Sequence, residues 1–177
     1  MALVAADLKD KIKAATEGKT VAAEAMTAMG NAIADYVKAN AEIAFGWIGA
    51  LTVIPFTPDP VTTPKGKIIS LTFSLTPSMA TTQTDAFLIL SSQLILGLTA
   101  AMYNITDPGF VTSPGSMATS PTIAIPVVIT VSGPDRDSAL IQLSNSIINW
   151  IKMQIPLGPI SGTHAAYTGV GIATGIS

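Results

Sequence analysis

Charged side chains crowd into one end of this chain. Asp7, Lys9, Asp10, Lys11, Lys13, Glu17, Lys19, Glu24, Asp35, Lys38 and Glu42 make eleven in the first 42 residues, and only nine are spread over the other 135. A soluble domain carries about 25% charged residues, whereas this chain has 11% and a mean hydropathy of +0.52. Apolar surface that charge does not keep wet has to be covered. Beyond residue 42 the chain is therefore expected to lie against other protein.

With 177 residues, the chain suits one domain, since domains commonly run to about 100–150 residues. It divides into a helical N-terminal region, 1–42, an α+β core, 43–155, and an extended tail, 156–177. Cysteine is absent, which removes disulfides and thiolate metal sites. A net charge of −2 and a lone arginine, Arg136, argue against nucleic acid, because displacing counterions from phosphates takes clustered cations. The opening Met1-Ala-Leu-Val-Ala-Ala is too short for the apolar segment of a secretory leader, and Asp7 follows it.

The reading along the chain is α+β. Residues 7–17 form a short helix, with Asp7 able to cap, Leu8, Ile12 and Ala15 on one face, and Gly18 as the stop. A longer helix runs from Thr20 to about Asn40, its buried stripe carrying Ala22, Met26, Met29, Ile33, Tyr36 or Val37, and Asn40. From Ile43 to Phe56 helical spacing is lost, and Gly46, Gly49 and Pro55 interrupt what reads as buried loop or short strand. Prolines at 58, 60 and 64 then set an extended connection.

Ile69, Leu71, Phe73 and Leu75 alternate with Ser70, Thr72, Ser74 and Thr76, the period of a half-buried strand over 68–76. A second strand over 122–131 carries Ile123, Ile125, Val127, Ile129 and Val131, and the two are expected in a small antiparallel sheet. Two apolar helices, 86–103 and 135–154, complete the core, with 104–121 as loop. The first is apolar nearly all round, so it should be covered nearly all round. Its eighteen uncharged residues also reach the lower limit for crossing about 30 Å of hydrocarbon. A membrane-associated protein using 86–103 is the alternative reading, although Ser91, Ser92, Gln93 and Thr99 and the lack of nearby Lys or Arg favour burial in protein. Residues 31–38 and 145–152 are similar at five of eight positions, as two amphipathic helices with similar ends would be.

Little in the chain resembles catalytic machinery. His164 is the single histidine, and no carboxylate lies near it in sequence, so a structural or solvent-exposed side chain is expected, with no metal and no cofactor. The serines lack a Gly-x-Ser-x-Gly elbow. Asp135 and Asp137 beside Arg136 suit a helix cap, Asp59 and Asp107 read as turn formers, and Gly169 and Gly171 let backbones approach rather than cradle a dinucleotide.

A helical Met29-Gly-Asn-Ala-Ile-Ala-Asp-Tyr-Val-Lys-Ala-Asn-Ala-Glu, a Pro58-Asp-Pro-Val-Thr turn, a strand alternating Ser and Thr, and a Thr168-Gly-Val-Gly-Ile-Ala-Thr-Gly tail together resemble small virion structural proteins of tailed bacteriophages. The resemblance implies a non-enzymatic subunit of tail, baseplate, neck or capsid surface, assembled in the host bacterial cytoplasm. Its partners would be itself and other virion proteins, without nucleic acid and without a membrane. Expected contact residues are Phe45, Trp47, Ile48, Leu51 and Phe56 in the first apolar segment and Tyr167, Val170, Ile172 and Ile176 in the tail, which would reach a neighbouring subunit. On that reading, deleting 163–177 impairs assembly and leaves the helices folded.

Overall fold

The structure, a computed structural model, describes residues 3–51, 53, 57–77, 83–117, 135–154, 156 and 158–177. The expected strand over 122–131 and the contact residue Phe56 lie outside these residues. In chain order the elements are α1 (Ala5–Thr16), α2 (Ala22–Asn40), β1 (Ile43–Leu51), β2 (Lys65–Ser70), α3 (Gln83–Thr99), β3 (Met102–Ile105), β4 (Phe110–Thr112), β5 (Gly115–Ser116), α4 (Arg136–Lys152), β6 (Ile160–His164) and β7 (Tyr167–Ile176).

The helices follow the apolar spacing. Leu8 and Ile12 bury one face of α1, and Gly18, at φ 71°, turns the chain after it without the strain a side chain would bring. Asp7 does not cap; it sits in the first turn, where its charge suits the helix dipole. Tyr36 holds that end instead, its hydroxyl accepting from Val4 N at 2.8 Å and donating to Val4 O at 2.9 Å. Gly30, Ile33, Ala34, Tyr36 and Val37 are the buried side of α2. On α4 the buried face is Leu143, Ile147, Ile148, Trp150 and Ile151, and Asp135 caps it by accepting from Asp137 N at 3.0 Å. Lys13 joins α1 to α4 through Asp137 at 2.9 Å.

All strand pairs are antiparallel, in the order β4-β6-β7-β1-β2-β3-β5. β1 and β7 are its longest pair, in register from Ile43 opposite Ile176 to Leu51 opposite Tyr167, with a bulge at Ala44/Phe45. The sheet curls until β4 approaches β3. There Asn104 Nδ2 donates to Thr112 O at 3.3 Å and the Thr112 hydroxyl donates to Asn104 Oδ1, so side chains rather than a backbone ladder bridge the two strands. Phe45, Trp47, Tyr103, Ile105 and Ile160 are buried within the curl, Phe45 stacking on Tyr103 with centroids 5.9 Å apart. Each fully buried side chain of that size stabilises the fold by roughly 1.5–3 kcal/mol.

One expectation is resolved and three need correction. Of the buried loop or short strand expected from Ile43, a strand forms, nine residues long, because alternate residues turn inward and its two glycines sit where neighbours press close or on the open side. The strand over 68–76 is shorter and lies earlier: β2 runs from Lys65 to Ser70, and residues 71–77 belong to no strand, although Leu71, Phe73 and Leu75 are still buried. The helix over 86–103 stops at Thr99, residues 102–105 form β3, and β4 and β5 occupy part of the supposed loop. Nor is α3 covered all round, since Leu88 is 64% and Leu96 72% exposed. Among the described residues no helix is long and apolar enough to cross a membrane.

The third correction concerns the tail. Residues 160–176 are not an arm reaching outward but a hairpin, β6 and β7, inserted between β4 and β1. Glycine makes this possible: a Cβ on Gly169 would strike Ile48 O and Gly49 Cα across the β1–β7 pair. The close-approach reading of these glycines thus describes contacts inside the fold.

Candidate functional site

Two places stand out once the sheet is assembled. One is the mouth of the curl, where the β1–β2 connection folds back over the end of β1. Leu51 N donates to Thr57 O at 3.1 Å and Asp59 N to Gly49 O at 2.9 Å, and Pro58 and Pro60 limit the backbone on either side of Asp59. This brings a carboxylate into the aromatic interior, where Asp59 is buried.

Three donors meet it. Trp47 Nε1 donates to Oδ2 at 2.9 Å and Val61 N to Oδ1 at 2.9 Å. His164, at the last position of β6, places Nδ1 2.8 Å from Oδ2 and 3.1 Å from Oδ1. An ionised carboxylate only accepts, so the proton of this contact resides on Nδ1. Burial pushes the Asp59 carboxyl upward, but the bonds from Val61, His164 and Trp47 and the nearby imidazole outweigh it and hold the group below its ordinary value. Asp59 is thus a turn former, as its Asx bond to Val61 shows, and also the anchor of the histidine.

Aromatic rings pack around the pair. Phe110 stacks on His164 with centroids 4.4 Å apart at 15°, Trp47 meets Phe110 edge-on at 5.0 Å, and Tyr167 lies 6.5 Å beyond the imidazole, nearly parallel. Gly109 backs the other ring edge, since a Cβ there would sit 3.1 Å from His164 Cδ2 and 3.3 Å from Nε2. Among the described residues no three metal-ligating side chains are grouped, and both Asp59 oxygens are already engaged. The arrangement fastens the β1–β2 connection and β4 onto the β6–β7 hairpin. Asp59 and His164 are 105 positions apart, and nothing local in the sequence pointed from one to the other.

The second place is the outer surface of β4, β6, β7 and β1. Three rows run across it, set by the register. Ala50, Thr168, Thr163 and Val111 lie side by side, then Ile48, Val170 and Ser161, then Gly46 and Ile172. Ile48 is 75%, Val111 74% and Ile172 54% exposed. None of these side chains is charged. Among the described residues charge returns at the border on β2, where Lys65 and Lys67 are exposed and Lys65 pairs with Glu42 at 2.8 Å, a bond that lowers the Glu42 carboxyl.

The expected contact residues separate by strand parity. Ile48, Val170 and Ile172 point outward, whereas Phe45, Trp47 and Ile176 point inward and belong to the chain's own core. Leu51 and Tyr167 are half-buried at the mouth of the curl. Val111 shares the outward face without being among the expected residues, because its strand, β4, is three residues long and carries no alternation to detect.

No protein-family model matches this chain, and no curated protein or solved structure does so either.

Proposed function

We propose that this chain is a non-enzymatic structural subunit of a tailed-phage virion, one that oligomerises and docks on other virion proteins through apolar surface. The observation that carries the reading is the uncharged outer face of β4, β6, β7 and β1, with Ile48, Val111 and Ile172 exposed. An apolar, charge-depleted centre bordered by ions is the anatomy of a protein interface, and the largest apolar patch of a protein surface is often functional. The exposed Leu88 and Leu96 of α3 offer a second surface to a different neighbour. The Asp59–His164 pair serves as a fastening in this reading. The virion assignment itself draws on the sequence resemblance.

Native mass measurement of the purified chain tests the assembly half of the reading, with discrete oligomers expected and a clean monomer at high concentration contradicting it. The virion half is tested by proteomics of purified particles from a phage carrying the gene. The chain should be present at a fixed number of copies per particle, and its absence would refute the assignment.

A further inference from the structure

One nitrogen at the mouth of the curl has no donor facing it. Because Nδ1 of His164 gives its proton to the bond with Asp59, the neutral ring keeps a lone pair on Nε2 and can only accept there. Among the described residues nothing donates to Nε2, and the sealed polar side-chain atom without a partner is Ser144 Oγ instead, so this nitrogen is open to what enters the mouth. Gly109, at φ 87°, keeps that edge of the ring clear, since an added Cβ would stand 3.3 Å from Nε2. Asp59 thus decides which nitrogen meets a ligand as well as holding the ring in place.

Charge and rings narrow down the donor. The Asp59 carboxylate behind the imidazole is ionised, and His164 is the one charged group that helps to keep it so; no lysine or arginine does. The turn before Gly109 adds Asp107, whose carboxylate accepts from Lys65 N at 2.8 Å, while the Lys65 ammonium is taken by Glu42. An acidic surrounding repels an anion and strengthens the hydrogen bond of a cationic donor. Tyr167, half-buried and nearly parallel to the imidazole, adds a π face that attracts cations. A guanidinium suits such a place better than an ammonium, because it is flat, weakly hydrated and able to lie on a ring while donating from its edge. A metal ion would find one nitrogen and no second ligand, both Asp59 oxygens being engaged.

Resting on the reading as a docking subunit, we propose that the mouth of the curl receives an arginine side chain of a partner protein, its guanidinium donating to His164 Nε2 beside Tyr167. The contact is small, and its role is to fix the partner's orientation while apolar surface elsewhere supplies the affinity.

The single histidine of the chain makes a direct test possible, because nitrogen NMR spectra then show one imidazole. At about pH 8, above the ordinary imidazole range, titration with N-acetyl-arginine methylamide should move the Nε2 resonance saturably, with half-saturation below about 50 mM, the weak binding of one small cation. Nδ1 should stay protonated throughout. N-acetyl-lysine methylamide should bind at least about fivefold more weakly, and sodium chloride at equal ionic strength should leave Nε2 in place. Tyr167→Leu should weaken the arginine derivative at least about threefold while circular dichroism stays that of the wild type. An Nε2 resonance that follows sodium chloride as closely as the arginine derivative, an equal response to the lysine derivative, or a Y167L affinity equal to that of the wild type would overturn the proposal. Native mass measurement of the same wild-type preparation separates the two failures. Oligomers without an arginine response mean that the chain assembles through other contacts, whereas a monomer without one removes the assembly reading as well.

Discussion

At the scale of single residues, the Asp59–His164 contact stabilises through a charge that the fold keeps ionised to lower pH than the unfolded chain does. In the unfolded chain the Asp59 carboxyl protonates near pH ~4; in the fold it protonates lower, because Val61, His164 and Trp47 together outweigh burial. The contribution is complete above the ordinary carboxylate range. It fades as pH falls toward the folded value, where the unfolded chain holds a proton that the folded chain does not. Asp59→Asn keeps the shape but turns an NH₂ toward one of three donors, so it should cost about 3 kcal/mol, the scale of a broken buried pair. Urea unfolding at pH 7 measures this, and the gap between wild type and variant should narrow from pH 5 to pH 3. Ala165, in the β6–β7 turn beside the histidine, has φ 51°, a region that costs a residue with a Cβ about 1–2 kcal/mol. Ala165→Gly should therefore raise the melting temperature by a few degrees, and a fall would show that the neighbouring strands relieve the strain.

At the scale of elements, glycine decides how closely the layers meet. Gly30 on α2 and Gly97 on α3 both press on the stretch that follows β2, where an added Cβ would strike Phe73 O and Thr72 O respectively. Ala is the better helix former by about 1 kcal/mol, yet the struck atoms are backbone and cannot swing aside. Overpacking of about 1–3 kcal/mol should win, so Gly30→Ala is expected to lower stability. Gly175→Ala, where an added Cβ meets nothing within 4 Å, should not. Paired thermal melts of the two variants give the comparison. Periodicity made the helices legible, since Leu8 and Ile12 or Ile147 and Ile151 share a face over a few residues. It left β4 and β5 invisible because three and two residues are too few to alternate. Where α3 ends was equally hidden: leucine-rich sequence continues through Met102, and what stops the helix is the pairing of residues 102–105 with β2.

At the scale of the whole molecule, the chain's final strand is structural before it is anything else. β7 lies between β6 and β1 and pairs with β1 along its full length. Deleting 163–177 would strip β1 of that partner, remove His164 from Asp59 and open the curled sheet along an apolar edge. The expectation that such a chain stays folded and merely fails to assemble is replaced by another. The truncated protein should lose cooperative unfolding and aggregate, as light scattering and calorimetry would reveal; a soluble chain with a wild-type melting transition would refute this. The contact residues expected from the sequence divide between the two sides of the sheet. Ile48, Val170 and Ile172 face solvent and Phe45, Trp47 and Ile176 do not, a division that strand parity makes only after the register is known.

The amino-acid sequence by itself determined where helices form, where charge is absent and which stretches alternate, because these depend on neighbours within a turn or two of chain. Only the tertiary structure decided that the glycine-rich tail is a hairpin inside the sheet, that Asp59 and His164 meet, and that an uncharged face is turned outward. Those facts rest on hydrogen bonds and contacts between residues about a hundred positions apart, whose pairing no local pattern encodes.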